Sequence, residues 1–264
     1  MEQPSADAIF ALEGIAFAYP AAQGGCEVLR DLDFSLAPGQ RIGLYGPNGS
    51  GKTTLAKVIA GVVHQTEGEI WMDGENISDL DITERAKMGV AYGFQQPVRF
   101  KGLTVRDMLD LSAKETLKEE AICGLMDQVG LCTKDYIDRE VNASLSGGEI
   151  KRIEIATVLA RRDAKVMVFD EPEAGIDLWS FNGLIDSFER LKKENDKALL
   201  VISHQERLLS IADEIIVIQD GKVRIQGPTE EIMPQLMYDE RSSSCPIGKD
   251  PEWLKEFQLS RAGA

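Results

Sequence analysis

Arg41 to Val63 reads RIGLYGPNGSGKTTLAKVIAGVV, and the order of residue types in it decides the fold class. RIGLY is a short apolar run suited to a buried strand. Glycines and a proline follow, and then Leu55, Val58 and Ile59 recur at helical spacing. Strand, glycine loop and helix, in that order, make the setting in which Gly46, Pro47, Asn48, Gly49, Ser50, Gly51, Lys52 and Thr53 act as a phosphate loop. Glycines let successive main-chain N–H groups face one anion, and the positive end of the next helix points at the same place. Lys52 can reach a β- or γ-phosphate, with Thr54 beside it in the first helical turn. The Thr53 hydroxyl suits Mg2+, which keeps several waters and takes few protein ligands. The competing reading is a glycine-rich turn with no ligand.

VMVFDEP, Val166 to Pro172, supplies a second half. Four apolar residues bury a strand, and Asp170 and Glu171 emerge at its C-terminal end, the edge where open α/β sheets bind ligands. Asp170 can hold Mg2+ through water. Glu171 can take a proton from an attacking water, since a general base needs reach first. His204 follows another buried strand, ALLVIS, and can bond a γ-phosphate or orient the water; a histidine satisfied at a sheet edge is the competing reading. Gln95, in GFQQP, ends a strand and can ligate Mg2+ or sense it.

NASLSGGEIKRIEI, Asn142 to Ile155, raises a question. Ser146, Gly147 and Gly148 start a helix whose first N–H groups lack internal partners. The chain's own phosphates are already covered by residues 46–53. The economical solution is that this helix start faces the nucleotide of a second molecule, and two identical chains would then share two ATPs under two-fold symmetry. Ser146 and Glu149 also fit a capping box with no ligand, and both readings can hold for the same residues.

Outward from these motifs, strands are expected at 8–13 and 28–36, in GEIWMD and in MGVAYGF. A helical region is expected over 104–140, and a hairpin around Asp220 and Gly221. Alternating strands and helices imply a parallel sheet carrying helices. Residues 239–264 are polar and read as a loop-like tail, with a short helix at PEWLKEFQ.

The 264 residues include 44 acidic and 29 basic side chains, a formal net charge of −15. Such a surface repels phosphate backbones and argues against nucleic-acid binding. The longest apolar runs fall far short of the roughly 20 residues that cross a bilayer. The opening MEQPSADAIF lacks the basic and apolar regions of a secretory leader, so a cytoplasmic chain is expected. Cys26, Cys123, Cys132 and Cys245 are far apart and read as free thiols.

Together the motifs resemble the ATP-binding cassette (ABC) ATPases. GPNGSGKT is similar to Walker A, LSGGE to the signature and VMVFDE to Walker B. Gln95 resembles the Q-loop glutamine, Glu173 to Asp177 (EAGID) the D-loop, and His204 the switch histidine. Tyr19, in FAYP, resembles the aromatic residue that stacks on adenine. The resemblance implies an α/β P-loop NTPase fold: a RecA-like core, an antiparallel β part and an inserted helical subdomain. It implies an ABC ATPase domain over 8–240, with the helical subdomain at about 98–160 and a polar tail over 241–264. It also implies Mg-ATP hydrolysis at the interface of an ATP-dependent homodimer.

Within that family, FQQPVRFKGLTV and SGGEIKRIEI are similar to SufC, the soluble ATPase of Suf iron–sulfur cluster assembly. Ile150, Ile153, Glu173 and Ile176 depart from the SufC pattern, so a divergent member is expected. The resemblance implies a SufB- or SufD-like scaffold partner. The alternative is the ATP-binding subunit of a membrane transporter of the metal or vitamin importer type.

Overall fold

The computed structural model describes residues 8–20, 25–142, 144–191 and 197–243. Strands β1 (Phe10–Ala18) and β2 (Glu27–Leu36) are antiparallel neighbours; β3 (Arg41–Tyr45) and helix α1 (Lys52–Ala60) follow. The chain returns to the first sheet through β4 (Glu67–Met72) and β5 (Glu75–Asn76), completing the order β2-β1-β4-β5. In β2, Leu29, Leu32, Phe34 and Leu36 are buried while Arg30, Asp31, Asp33 and Ser35 are exposed. That mixture of buried and exposed positions suits an antiparallel sheet with one face in water.

The second sheet collects β6 (Val90–Gly93), β7 (Val166–Asp170), β8 (Ala198–Ile202), β9 (Glu214–Gln219) and β10 (Lys222–Pro228) around β3, in the order β10-β9-β3-β8-β7-β6. All its pairs are parallel except the β9–β10 hairpin. β7 and β8 are buried at every position, as continuous apolar runs in a parallel sheet must be when both faces are covered. The carboxyl ends of β3, β6, β7 and β8 therefore lie along one edge, and Tyr45, Gly93, Asp170 and Ile202 end there. One core fills the space between the sheets around α1; a second lies on the other face of the large sheet, under the helices.

Helix α2 (Ile82–Met88) leads into β6. Between β6 and β7 the chain inserts α3 (Val105–Ala113), α4 (Glu119–Gln128), α5 (Thr133–Tyr136) and α6 (Gly147–Ala160). The helical region expected over 104–140 is thus three helices. α3 stops where Lys114 turns left-handed at φ 58°, a conformation that ends a helix. The insertion is closed at its neck, where Phe100 and Leu103 bond to Val141 at 3.0 and 2.9 Å. Ile150 and Ile153, the departures from the SufC pattern on α6, are both 1% exposed: they face the apolar core, where a lysine or asparagine would need polar partners.

After β7 come α7 (Leu178–Leu191), α8 (Glu206–Leu209) and α9 (Thr229–Ser243). Residues 239–243, expected as loop, belong to α9, and residues 244–264, with Cys245 and PEWLKEFQ, lie outside the described residues. β1 runs to Ala18, well beyond the expected 8–13, with register shifts on either side of Ile15. Cys26, Cys123 and Cys132 are free and exposed. No described helix is long and apolar enough to cross a membrane.

Candidate nucleotide site

The loop leaving β3 curls tightly against the end of β9. A Cβ on Gly46 would lie 2.0 Å from the Ile218 carbonyl oxygen, so only glycine fits. Gly51 is left-handed at φ 105° and begins α1 without any side-chain cap. The first N–H groups of α1 are therefore without a side-chain acceptor. Lys52 is 6% exposed and its ammonium donates to the carbonyls of Gly46 (2.6 Å) and Pro47 (3.0 Å). Burial pulls its pKa below the usual lysine range, and the charges of Glu171 and Asp170 pull it back up. The Ser50 hydroxyl is buried without a hydrogen-bond partner among the described residues, so the loop holds a polar atom that a bound group could satisfy.

Thr53, in the first turn of α1, donates its hydroxyl to Asp170 Oδ1 at 3.3 Å. Asp170 is fully buried at the end of β7, and the Tyr92 hydroxyl lies 3.5 Å from its Oδ2. Burial raises the Asp170 pKa; the Thr53 bond opposes this, Glu171 adds to it, and Lys151 and Lys57 oppose it. Burial first, then Asp170, push the Tyr92 phenol well above its ordinary value. Tyr92 therefore stays neutral and donates.

Glu171 sits just past the strand end at φ 47°, a left-handed conformation that is strained for a side-chain-bearing residue. Its N–H bonds to the Ile202 carbonyl at 2.9 Å, which ties the ends of β7 and β8 together. Gln95 Nε2 donates to Glu171 Oε2 at 3.1 Å. His204 is exposed, with its ring edge-on to Tyr45 at 5.6 Å. Asn48, Gly49, Gly51, Lys52, Thr53, Thr54, Gln95, Glu171 and His204 line one cavity of about 610 Å³. Val28 of β2 lines it too, a residue with no motif to announce it. A hydroxyl, an amide and a buried carboxylate supply only hard oxygen donors here, which suits Mg2+ with several retained waters.

Four of the sequence candidates lie elsewhere. Tyr19 packs edge-on against Phe17 at 5.0 Å and does not line the cavity. Ser146, Gly147 and Gly148 begin α6 away from it. Ser146 caps α6 in a complete box: its N–H donates to Glu149 Oε2 at 2.7 Å, and its Oγ accepts from the Glu149 N–H at 3.3 Å. A Cβ on Gly148 would lie 2.4 Å from the Gly175 carbonyl oxygen, so the start of α6 packs directly on the 173–177 turn.

Sequence reasoning missed a buried ion pair on α6. Lys151 is 1% exposed. Its ammonium bonds to the Phe94 carbonyl and lies 3.3 Å from the Asp170 carbonyl and 3.5 Å from Glu154 Oε2. Glu154 Oε1 accepts the Phe94 N–H at 3.2 Å. The three-residue spacing of Lys151 and Glu154 was legible; their target, the peptide before Gln95, was not.

The ABC transporter family (ABC_tran) matches residues 29–174. MJ0035 of Methanocaldococcus jannaschii, an ABC transporter ATP-binding protein, is 37% identical over 218 residues, covering 80% of this chain and 86% of that protein. The probable ATP-dependent transporter ycf16 of Cyanophora paradoxa is 32% identical over 251 residues, 89% of this chain and 92% of its own length. Among solved structures, the dimeric ATP-binding cassette MJ0796 bound to ADP and Pi superposes with a TM-score of 0.75 at 22% identity, covering 83% of this chain and 98% of that one. With the phosphate loop, the strand-end carboxylates and the signature helix in place, the chain belongs to the ABC transporter family and is an ATP-hydrolysing cassette.

Proposed function

We propose that this chain is the ATP-binding subunit of a membrane transporter, and that it works as a pair of cassettes closed by ATP. Residues 8–240 are the ABC ATPase domain in this reading, with 98–160 as its helical subdomain. The loop amides and Lys52 hold the β- and γ-phosphates, and Tyr19 stacks on adenine. Mg2+ neutralises phosphate charge when bound, and Thr53, Asp170 and Gln95 hold it, partly through water. Glu171 takes a proton from water as the water oxygen attacks the γ-phosphorus; the bond to the β,γ-bridging oxygen breaks and ADP leaves. His204 orients that water and the γ-phosphate. Ser146, Gly147 and Gly148 offer hydrogen bonds to the γ-phosphate held by the second copy. The dimeric MJ0796 cassette supports the pairing, and ATP contacts from both copies would drive closure.

The observation that carries the partner reading is a groove of about 220 Å³ lined by Phe94, Val98, Phe100, Met108, Ile150 and Ile153, among others. Val98 and Phe100 are 43% and 39% exposed there. Phe94 lines the groove while its neighbour Gln95 bonds Glu171 in the nucleotide cavity. A helix of a membrane subunit seated in the groove would therefore feel the state of the nucleotide through one short segment. The transporter names of MJ0035 and ycf16 support this partner.

A second reading keeps the same groove and changes its occupant. FQQPVRFKG, the stretch similar to SufC, supplies Val98 and Phe100 to the groove, which favours a soluble SufB- or SufD-like scaffold. Purification of the tagged chain from its native cell separates the two. Recovery with a permease in the membrane fraction supports the transporter; recovery with a soluble iron–sulfur protein replaces it with the scaffold. Val98→Ser with Phe100→Ser should release either partner and leave ATP binding intact.

A further inference from the structure

Between Glu171 and His204, which both line the cavity, one half-buried carboxyl is left without a role. Glu173 begins the 173–177 turn, and its Oε1 accepts a hydrogen bond from the Ser203 hydroxyl at 2.6 Å. Ser203 is fully buried, and its Oγ in turn accepts the Gln205 N–H at 2.9 Å. Carboxyl, hydroxyl and amide thus bracket His204 on both sides. Glu173 Oε2 is buried with no hydrogen-bond partner among the described residues. Burial raises the Glu173 pKa and Glu171 adds to the rise; the Ser203 bond and the main-chain N–H groups of Glu173 and His204 oppose it.

The other end of the same turn is fastened to α6. The Gly175 carbonyl fills the space beside Gly148. Asp177 accepts the Ser180 N–H at 3.0 Å and lies 3.5 Å from the Arg152 guanidinium. Arg152 also donates to the Ser180 hydroxyl at 2.6 Å. Five residues therefore join the helix start that faces a second copy to the turn that carries His204.

We propose that Glu173 is a positioning residue: through Ser203 it fixes the turn carrying His204, and so ties the setting of His204 to the contact between the 173–177 turn and the start of α6. The link rests on the reading of His204 and of the paired cassettes given above. A carboxyl bonded on one side, with its other oxygen buried, holds its partner in one place, and removing it leaves the Ser203 hydroxyl proton without an acceptor. The energy involved acts on the geometry of His204, not on nucleotide affinity.

ATP turnover of the full chain tests this with Glu173→Ala, Glu173→Gln and Ser203→Ala, each made in the natural chain and beside His204→Ala. Glu173→Ala should lower kcat about tenfold and change KM for ATP less than about twofold, as a misplaced orienting group does. Glu173→Gln keeps an oxygen acceptor for Ser203 and should restore most of the rate. Beside His204→Ala, Glu173→Ala should cost nothing further, because both changes remove one unit. The proposal is overturned if Glu173→Ala turns over normally, if its loss is undiminished beside His204→Ala, or if KM rises in step and Glu173→Gln does not rescue. Should His204→Ala itself turn over normally, the reading of the histidine falls and takes this link with it. A silent Glu173→Ala beside a dead Lys52→Ala sinks the link alone.

Discussion

Helices α1 and α6 both have a glycine at or next to their first residue, yet their first turns are satisfied in opposite ways. α1 starts at Gly51 with no side-chain cap and no acidic residue in its first turn. α6 starts at Ser146 with a complete capping box and Glu149 in its first turn. An uncapped helix start costs stability unless something else meets its N–H groups, and at α1 that start opens into a cavity lined by Lys52 and Thr53. α6 brings its own acceptor, is exposed at Ser146 and Gly147, and stands formed without a ligand. The first is a site in one chain. In the proposed pairing, the second is a prepared surface that becomes a site when another copy brings a phosphate to it.

The comparison breaks most sharply at Lys52. If the amides of α1 and its loop were enough, the ammonium would be dispensable. Lys52→Ala should instead lower ATP turnover by about a thousandfold or more, since the buried cation of the phosphate loop is lost, and with it the charge that would stabilise the transferring phosphoryl group. Steady-state phosphate release with nucleotide-binding measurements checks it; turnover near that of the natural chain would remove the phosphate loop from the mechanism.

Glu171→Gln comes next and tests the other wall of the cavity. The amide keeps the size of the carboxyl but cannot take a proton, so turnover should fall about a hundredfold or more while ATP stays bound. Light scattering then reads the second half of the comparison. The variant with Mg-ATP should run at twice the monomer mass. A monomer at saturating ATP would leave the start of α6 without its phosphate.

Gly148→Ala acts on α6 alone. The new methyl would meet the Gly175 carbonyl at 2.4 Å, so the helix start or the 173–177 turn must shift. Turnover should fall about tenfold, in line with small misplacements near reacting groups, and nucleotide affinity of the single chain should not change. If affinity falls with turnover, α1 and α6 serve the same bound nucleotide and the contrast between them dissolves.

What the sequence disclosed follows the reach of each interaction. The phosphate loop, Asp170, Glu171 and the apolar runs of β7 and β8 were legible because local patterning sets them. The Ser146–Glu149 box was legible too. The same spacing at Asp81 and Glu84 starts α2 with its own capping box, and it went unread amid polar residues. Arg85 shows what local pattern cannot give. It is fully buried, and its guanidinium meets the carbonyls of Val58 (2.6 Å), Ile59 (3.1 Å) and Ser78 (2.8 Å), capping the C-terminal end of α1. Burial lowers its pKa to about 10, with Asp79 opposing. Nothing near Arg85 in the chain names those carbonyls. The strand order that sets β3 between β8 and β9 is likewise a product of long-range packing.

The smallest effect lies in the box itself. The Tyr136 hydroxyl first, then the Ser146 main chain and side chain, lower the Glu149 pKa from the usual 4.5 to about 2, with burial opposing and Arg139 assisting. A carboxyl whose folded pKa is depressed contributes stability above its unfolded pKa and loses it as pH falls through the folded value. The contribution should therefore be whole above about pH 5 and fade from there to about pH 2. Glu149→Gln should cost about 1 kcal/mol at neutral pH, the scale of a helix cap. Urea unfolding of both chains at pH 7 and at pH 3 reads the difference, which should shrink at the lower pH. A gap that is equal at both would mean that the side chain's shape, not its charge, closes the first turn of α6.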